Sequence, residues 1–189
     1  MNVPSRIEAY AIISADGMIA DADGKQPPGL IVKADQKFFR DGLDRAAAVA
    51  HGKFSYERGP KAAGRKRLIL SRRIASLAPH PRHAKGLLWN PAGESFAEAW
   101  RALDVADGTL AVIGGTDTFG LFLEIGYDAF HLTRANRVRL PGGRPVFPQV
   151  PARTPEEVLA AHGLRGGPPQ VLDADADVVL VTWYGNREA

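Results

Sequence analysis

Three short segments, in this order, carry groups suited to holding a phosphate: His51-Gly52-Lys53-Phe54-Ser55-Tyr56-Glu57, Leu70-Ser71-Arg72-Arg73 and Ile113-Gly114-Gly115-Thr116-Asp117. Gly52 follows an apolar run. Lys53 and Ser55 are expected to open a helical turn, offering a cation and backbone N–H groups to an anion at a helix N-terminus. Gly114-Gly115 lets the backbone approach a pyrophosphate where a Cβ would clash, and Thr116 adds a hydroxyl at the start of the next helix. Ser71, Arg72 and Arg73 offer the charge-assisted contacts that a 2′-phosphate needs, which favours NADP over NAD. Each signal alone also fits an ordinary tight turn or a solvated strand end, so the weight lies in their order along one chain.

These segments must sit just past strand ends, and the pattern around them supplies strands. Apolar runs at 6–13, 46–50, 67–70, Gly86–Trp89, 109–113 and 129–133 are bounded by Gly, Pro or charge and read as buried strands. Between them, Lys33–Arg45 places Ala34, Phe38 and Leu43 at near-helical spacing. Ser95 with Glu98 reads as a capping box before Ala99, Trp100 and Leu103, and a further helix is expected over Thr116–Ile125. Thr154 and Glu157 form a second capping box for a short helix through Ala161, closed by Gly163 and Gly166-Gly167. Segments 170–172 and 178–183, separated by Asp173-Ala174-Asp175-Ala176-Asp177, read as an antiparallel hairpin on the sheet edge. The alternation of strands and helices predicts an α/β fold with a mostly parallel central sheet and helices on both faces.

With 189 residues, 45% hydrophobic and 24% charged, the chain has material for one domain over 1–189. No apolar run approaches the ~20 residues that span a bilayer, and no signal pattern opens the chain, so a cytoplasmic location is expected. The absence of cysteine removes disulfides and thiolate ligands. Arg65-Lys66-Arg67 and Arg72-Arg73 are basic, yet no basic helical face or interleaved aromatic platform accompanies them, which argues against a nucleic-acid partner. His80 and His83 lie in a Pro-rich loop without a third ligand, and the acidic 173–177 run lacks the glycine and distal glutamate of a calcium loop, so no metal is expected.

The arrangement resembles the dihydrofolate-reductase superfamily, which includes the reductase domain of riboflavin biosynthesis. The resemblance covers roughly residues 6 to 184. Gly52-Lys53-Phe54-Ser55-Tyr56-Glu57 is similar to the family's Gly-Arg-x-Thr-Trp-Glu, Leu70-Ser71-Arg72 to its Leu-Ser-Arg, and Ile113-Gly114-Gly115 to its Ile-Gly-Gly. Leu132-Thr133-Arg134 with Phe147-Pro148 looks like its Leu-Thr and Phe-Pro pair. The resemblance implies eight strands ending in the hairpin, and NADPH as cofactor. It implies cofactor contacts from Ala11, Ile19, Gly52, Lys53, Ser55, Ser71, Arg72, Ile113, Gly114, Gly115, Thr116, Asp117 and Thr118. Substrate contacts would come from Ser14, Asp16, Leu30, Phe39, Arg65 and Thr133. Asp35, at the start of the first helix, resembles the family's buried acid that meets the substrate's amidine edge; partial burial would raise its pKa toward a range useful in protonation. The residue type alone also fits a charge favoured at a helix N-terminus.

The substrate is divided between two members of that superfamily. Ser14-Ala15-Asp16-Gly17-Met18-Ile19-Ala20 looks like the riboflavin-reductase pattern Ser-x-Asp-Gly-x-Ile-Ala, and Gly29-Leu30 stands where folate enzymes carry Pro-Trp. Gly64-Arg65-Lys66 resembles the folate enzymes' Gly-Arg-x, although a guanidinium there suits a glutamyl carboxylate or a ribose phosphate equally. The favoured expectation is hydride delivery to the C=N carbon of a ribosylaminopyrimidine. Dihydrofolate reduction is the alternative, and a nucleotide-binding protein without turnover is the alternative of another class. His51 could touch substrate or pack at a strand end. Trp89, Trp100 and Trp183 read as packing residues, and Phe119 keeps the ring that the family places after its Gly-Gly turn. A small-molecule substrate is the expected partner, with no membrane, and a homodimer could form through the apolar 178–183 strand as a sheet edge.

Overall fold

The computed structural model describes residues 3–55 and 60–186. In chain order the elements are β1 (Arg6–Ser14), β2 (Met18–Ala20), α1 (Lys33–Arg45), β3 (Ala48–Gly52), β4 (Lys66–Leu70), β5 (Leu77–Pro79), β6 (Gly86–Trp89), α2 (Phe96–Ala102), β7 (Thr109–Val112), α3 (Thr116–Ile125), β8 (Ala129–Ala135), β9 (Arg144–Pro145), α4 (Pro155–Ala161), β10 (Arg165–Gly166), β11 (Gln170–Asp173) and β12 (Val178–Tyr184). Single 3-10 turns occupy Pro28–Leu30 and Ala62–Gly64.

The main sheet runs β10-β12-β8-β1-β7-β3-β4-β6-β5, with β11 paired to the outer part of β12. From β8 to β6 every pairing is parallel. The eight strands expected from the sequence are all present; β5 and β10 are short additions, and β2 pairs with β9 outside the main sheet. The β11–β12 pair is the antiparallel hairpin. Because the central strands are parallel, their carboxyl ends share one edge: Gly52 lies level with Leu70, and Ala50 with Val112.

The helices cover both faces. Trp100 of α2, Phe119 and Phe122 of α3, and Val158 and Leu159 of α4 bury with Ile7, Ala9 and Ile13 of β1 on one side. On the other, Leu43 and the ring edges of Phe38 and Phe39 from α1 pack on Tyr10, Val49 and Ala111. Helix α1 approaches the sheet very closely: a Cβ built on Gly42 would lie 2.4 Å from the Tyr10 ring, so only glycine fits there. Trp89 and Trp100 are core residues, as expected.

Four sequence-level expectations are corrected. The second long strand spans Ala48–Gly52 rather than 46–50, because the Ala46 N–H closes α1 on Leu43 O. Ser95 caps α2 by accepting from Glu98 N, but its own N–H goes to Glu94, so the cap is not reciprocal. Thr154 and Glu157 make the full capping box. Gly163, at φ +81°, ends α4 alone, while Gly166 belongs to β10 and Gly167 donates to Thr182 O. Finally, β12 is not an edge: β8 pairs on one side and β10 and β11 on the other, so its backbone groups are taken.

Candidate functional site

Apolar parallel strands end together, so the loops that follow them converge at the carboxyl edge of the sheet, the usual ligand side of such sheets. The loops after β3 and β7 are tied directly by Gly52 N–H donating to Gly114 O at 2.8 Å. Gly114 has φ +107°, a conformation that L side chains rarely adopt. A Cβ built on Gly115 would lie 3.6 Å from Ser55 Oγ and 3.8 Å from Ile19 Cδ1, and one on Gly52 would lie 3.2 Å from Thr118 Oγ1. The structure thus brings the backbone of Gly52, Gly114 and Gly115 together with the side chains of Ile19, Ser55 and Thr118 in one cradle. Next to it, Ser71 and Arg72 follow β4, and exposed Arg72 reaches Asp117 on the first turn of α3 at 3.2 Å. An exposed guanidinium whose partner is an equally exposed carboxylate, beside a glycine-lined cradle, fits a phosphorylated dinucleotide. Ile113 sits between these loops and the α1 face, where it packs against the Tyr10 and Val49 cluster.

Two parts of that cradle differ from expectation. Lys53 and Phe54 form a turn, with Ser55 N–H returning to Gly52 O, rather than opening a helix; Lys53 lies over the exposed Phe54 ring at 5.1 Å. Tyr56 and Glu57 lie outside the described residues. The Thr116 hydroxyl donates to Pro145 O at 2.5 Å, so it fastens α3 to β9 instead of offering its proton to a ligand.

On the α1 face, Asp35 stands in the first helical turn and is hydrogen-bonded by the buried Thr133 side chain of β8. Burial raises its carboxyl above the usual range, and the Thr133 hydroxyl offsets only part of that. The helix N-terminus favours the anion, but desolvation wins. Phe39 lies on the same side of α1, edge-on to Tyr10 at 6.1 Å. Ala11 points to the opposite face, toward the α2–α4 core against which Ile19 also packs.

Four residues expected at the substrate have side chains engaged within the fold itself. Leu30 is 1% exposed, inside a cluster with Ile12, Val32, Ala135 and Val178. Ser14 is fully buried: its hydroxyl donates to Asp16 Oδ1 at 2.6 Å and accepts from Met18 N at 3.0 Å. Both Asp16 oxygens accept from Leu140 N, and although desolvation opposes it, these bonds hold the carboxyl below its ordinary range. Ser14 and Asp16 therefore shape the β1–β2 loop. That loop is further held by Ala15 N to Val138 O, by Val146 N to Gly17 O, and by Arg134, which donates to Ala15 O at 2.9 Å and pairs with Glu156 of α4. Arg65 lies at the far end of β4, about 17 Å along the strand from the cradle. It donates to Leu43 O and pairs with Asp44, both at 2.5 Å, locking the end of α1.

Sequence reasoning counted Arg67 in a basic cluster and at the start of a buried strand, and missed its role. It is 4% exposed and reaches His51, itself fully buried at the end of β3. The signal was its place inside an apolar strand, two residues from Ile69 on one face. Among the described residues, no group of three or more His, Asp and Glu side chains is placed to hold a metal, and no helix is long and apolar enough to cross a membrane. Asp173–Asp177 is a turn closed by Ala176 N donating to Asp173.

No family model matches the chain, and no curated protein matches it. Solved structures do. A protein from Shewanella sp. PV-4, solved as a riboflavin-biosynthesis candidate, superposes at TM-score 0.64 with 19% identity, over 96% of this chain and 99% of that one. Dihydrofolate reductase from Enterococcus faecalis, complexed with NADP(H), gives TM-score 0.64 and 17% identity over 96% of both chains. A diaminohydroxyphosphoribosylaminopyrimidine deaminase/5-amino-6-(5-phosphoribosylamino)uracil reductase from Thermotoga maritima gives TM-score 0.63 and 15% identity, covering 97% of this chain but 57% of that one. The strand order, the hairpin and these superpositions together assign the chain to the dihydrofolate-reductase-like fold.

Proposed function

We propose that this chain is an NADPH-dependent reductase acting on a ribosylaminopyrimidine, of the 5-amino-6-(5-phosphoribosylamino)uracil reductase type. The observation that carries the reading is Asp35: a carboxyl that burial raises above its usual range, hydrogen-bonded to Thr133 of β8, one of the parallel strands whose carboxyl ends share the edge that carries the glycine loops. Gly52, Ser55, Gly114 and Gly115 would hold the coenzyme's phosphates, with Ile19 packing beside them through its side chain, and Ser71 with Arg72 would hold its 2′-phosphate. Bound NADPH supplies the hydride. Asp35, whose carboxyl burial raises above its usual range, would give the C=N nitrogen the proton it gains as its carbon is reduced, directly or through a water. Thr133 fixes the carboxyl's orientation. The same reading takes residues 1–189 as one cytoplasmic domain with a small-molecule partner.

Dihydrofolate remains the second reading, because a carboxyl paired with a threonine can equally accept from the amidine edge of a pterin. Arg65, whose guanidinium is committed to Asp44 and Leu43 O, does not separate the two; the loop after β1, with Ser14-Ala15-Asp16-Gly17-Met18-Ile19-Ala20 and with Gly29-Leu30 in place of Pro-Trp, favours the ribosylaminopyrimidine. Calorimetric titration with NADPH and NADH tests the coenzyme half. Loss of reduced-nicotinamide absorbance with the ribosylaminopyrimidine or with dihydrofolate then separates the substrates. Binding of neither coenzyme overturns the reductase reading in favour of a non-catalytic protein.

A further inference from the structure

An arginine that is almost wholly buried is expensive unless its donors are met, so its presence calls for a reason. Arg67 of β4 is 4% exposed and His51 of β3 is 0% exposed, and they lie on the same face of adjacent parallel strands. Arg67 Nη1 lies 3.3 Å from His51 Nε2, and Arg67 Nη2 donates to Ala62 O at 2.8 Å. A guanidinium has only donors, so His51 Nε2 must accept, and the proton of the neutral imidazole resides on Nδ1. That nitrogen lies 2.8 Å from Gly52 O, to which it donates. Gly52 N–H in turn donates to Gly114 O. One connected path therefore runs from the 3-10 turn at Ala62–Gly64 through Arg67 and His51 into the two glycine loops.

We infer that the Arg67–His51 pair is a positioning device for the coenzyme: it selects the imidazole tautomer that fastens Gly52, and through Gly52 N–H it sets the spacing of the cradle. Neither side chain touches the ligand. This rests on the coenzyme reading above, and it makes a demand that reading does not: loosening the pair weakens NADPH and NADH by the same factor, because the 2′-phosphate contact at Arg72 is untouched.

The test is calorimetric binding of both coenzymes to the wild type and to Arg67→Lys, Arg67→Met, His51→Phe and the Arg67→Met/His51→Phe double variant, with steady-state kinetics and thermal melts alongside. Arg67→Met and His51→Phe are expected to weaken both coenzymes at least tenfold, raising KM for NADPH with kcat at saturating coenzyme within about threefold. The double variant is expected to lose no more than either single one, as for groups acting as a unit. Arg67→Lys keeps the charge and a donor but not the fork, and is expected to fold and lose affinity at least threefold. A folded Arg67→Lys with wild-type affinity, or variants whose melting temperature falls while both dissociation constants stay put, overturns the inference. If the wild type itself binds neither coenzyme, it is the functional reading that falls.

Discussion

His51 provides a prediction whose size follows from the structure. Burial, with a smaller contribution from the adjacent Arg67 guanidinium, lowers its pKa from 6.5 to about 4, although the bond to Gly52 opposes the shift. In the unfolded chain the same imidazole takes a proton below about 6.5, whereas in the folded protein it stays neutral until about 4. Between those values the unfolded state binds more protons, so stability is full above pH 6.5 and is lost as pH falls toward 4. At about 1.4 kcal/mol for each pH unit, the whole window corresponds to about 3 kcal/mol. The perturbation is His51→Gln, which does not titrate. Urea denaturation of both proteins at several pH values from 4 to 7, read by tryptophan fluorescence, gives the difference in unfolding free energy at each pH. Carboxylates that titrate in this range contribute to both proteins and cancel in the difference. The stability advantage of the wild type over His51→Gln should shrink by about 3 kcal/mol from pH 6.5 to 4. A difference that is flat across the range refutes the claim that His51 is held neutral by its surroundings.

Further outcomes are expected at the site and beneath it. Asp35→Asn should lower turnover by about a hundredfold or more while sparing NADPH affinity, and should raise the melting temperature at pH 7. The folded-state pKa of Asp35 lies above its unfolded value, so its ionisation erodes stability as pH rises, and the amide removes that loss. Unchanged turnover would reduce Asp35 to a helix-end charge. Arg72→Ala should weaken NADPH about tenfold, the scale of one charge-assisted contact, with little change for NADH; equal weakening would remove Arg72 from the 2′-phosphate. Gly42→Ala should destabilise by about 1–3 kcal/mol despite alanine's better helix propensity, because its methyl would collide with a Tyr10 ring whose hydroxyl is held by Glu8; chemical denaturation checks this.

The parallel core and the helices could be read from the sequence because each carries its own period: apolar runs for buried strands, Ala34, Phe38 and Leu43 for α1. The order of the glycine loops was equally readable, since only glycine tolerates the Gly114 conformation. What could not be read was the assignment of polar side chains to partners distant in sequence. Ser14 and Asp16 looked like ligand groups because they are polar and lie in a loop, yet Asp16 meets Leu140, 124 positions away. Arg65 and Arg67 are the same residue type two positions apart and so share a side of the chain, yet the end of α1 takes the first to Asp44 while β3 gives the second His51. The free edge expected at β12 failed for a related reason: two strands, not one, return to cover it.

The stitched β1–β2 loop has a kinetic corollary. With Ala15, Asp16 and Gly17 each bonded to the 136–146 segment, and Arg134 clamping Ala15 to α4, the ordering entropy of this loop is lost when the chain folds and not when a ligand arrives. Coenzyme association should then proceed without a slow rearrangement, the observed rate in stopped-flow mixing rising linearly with concentration and showing no plateau.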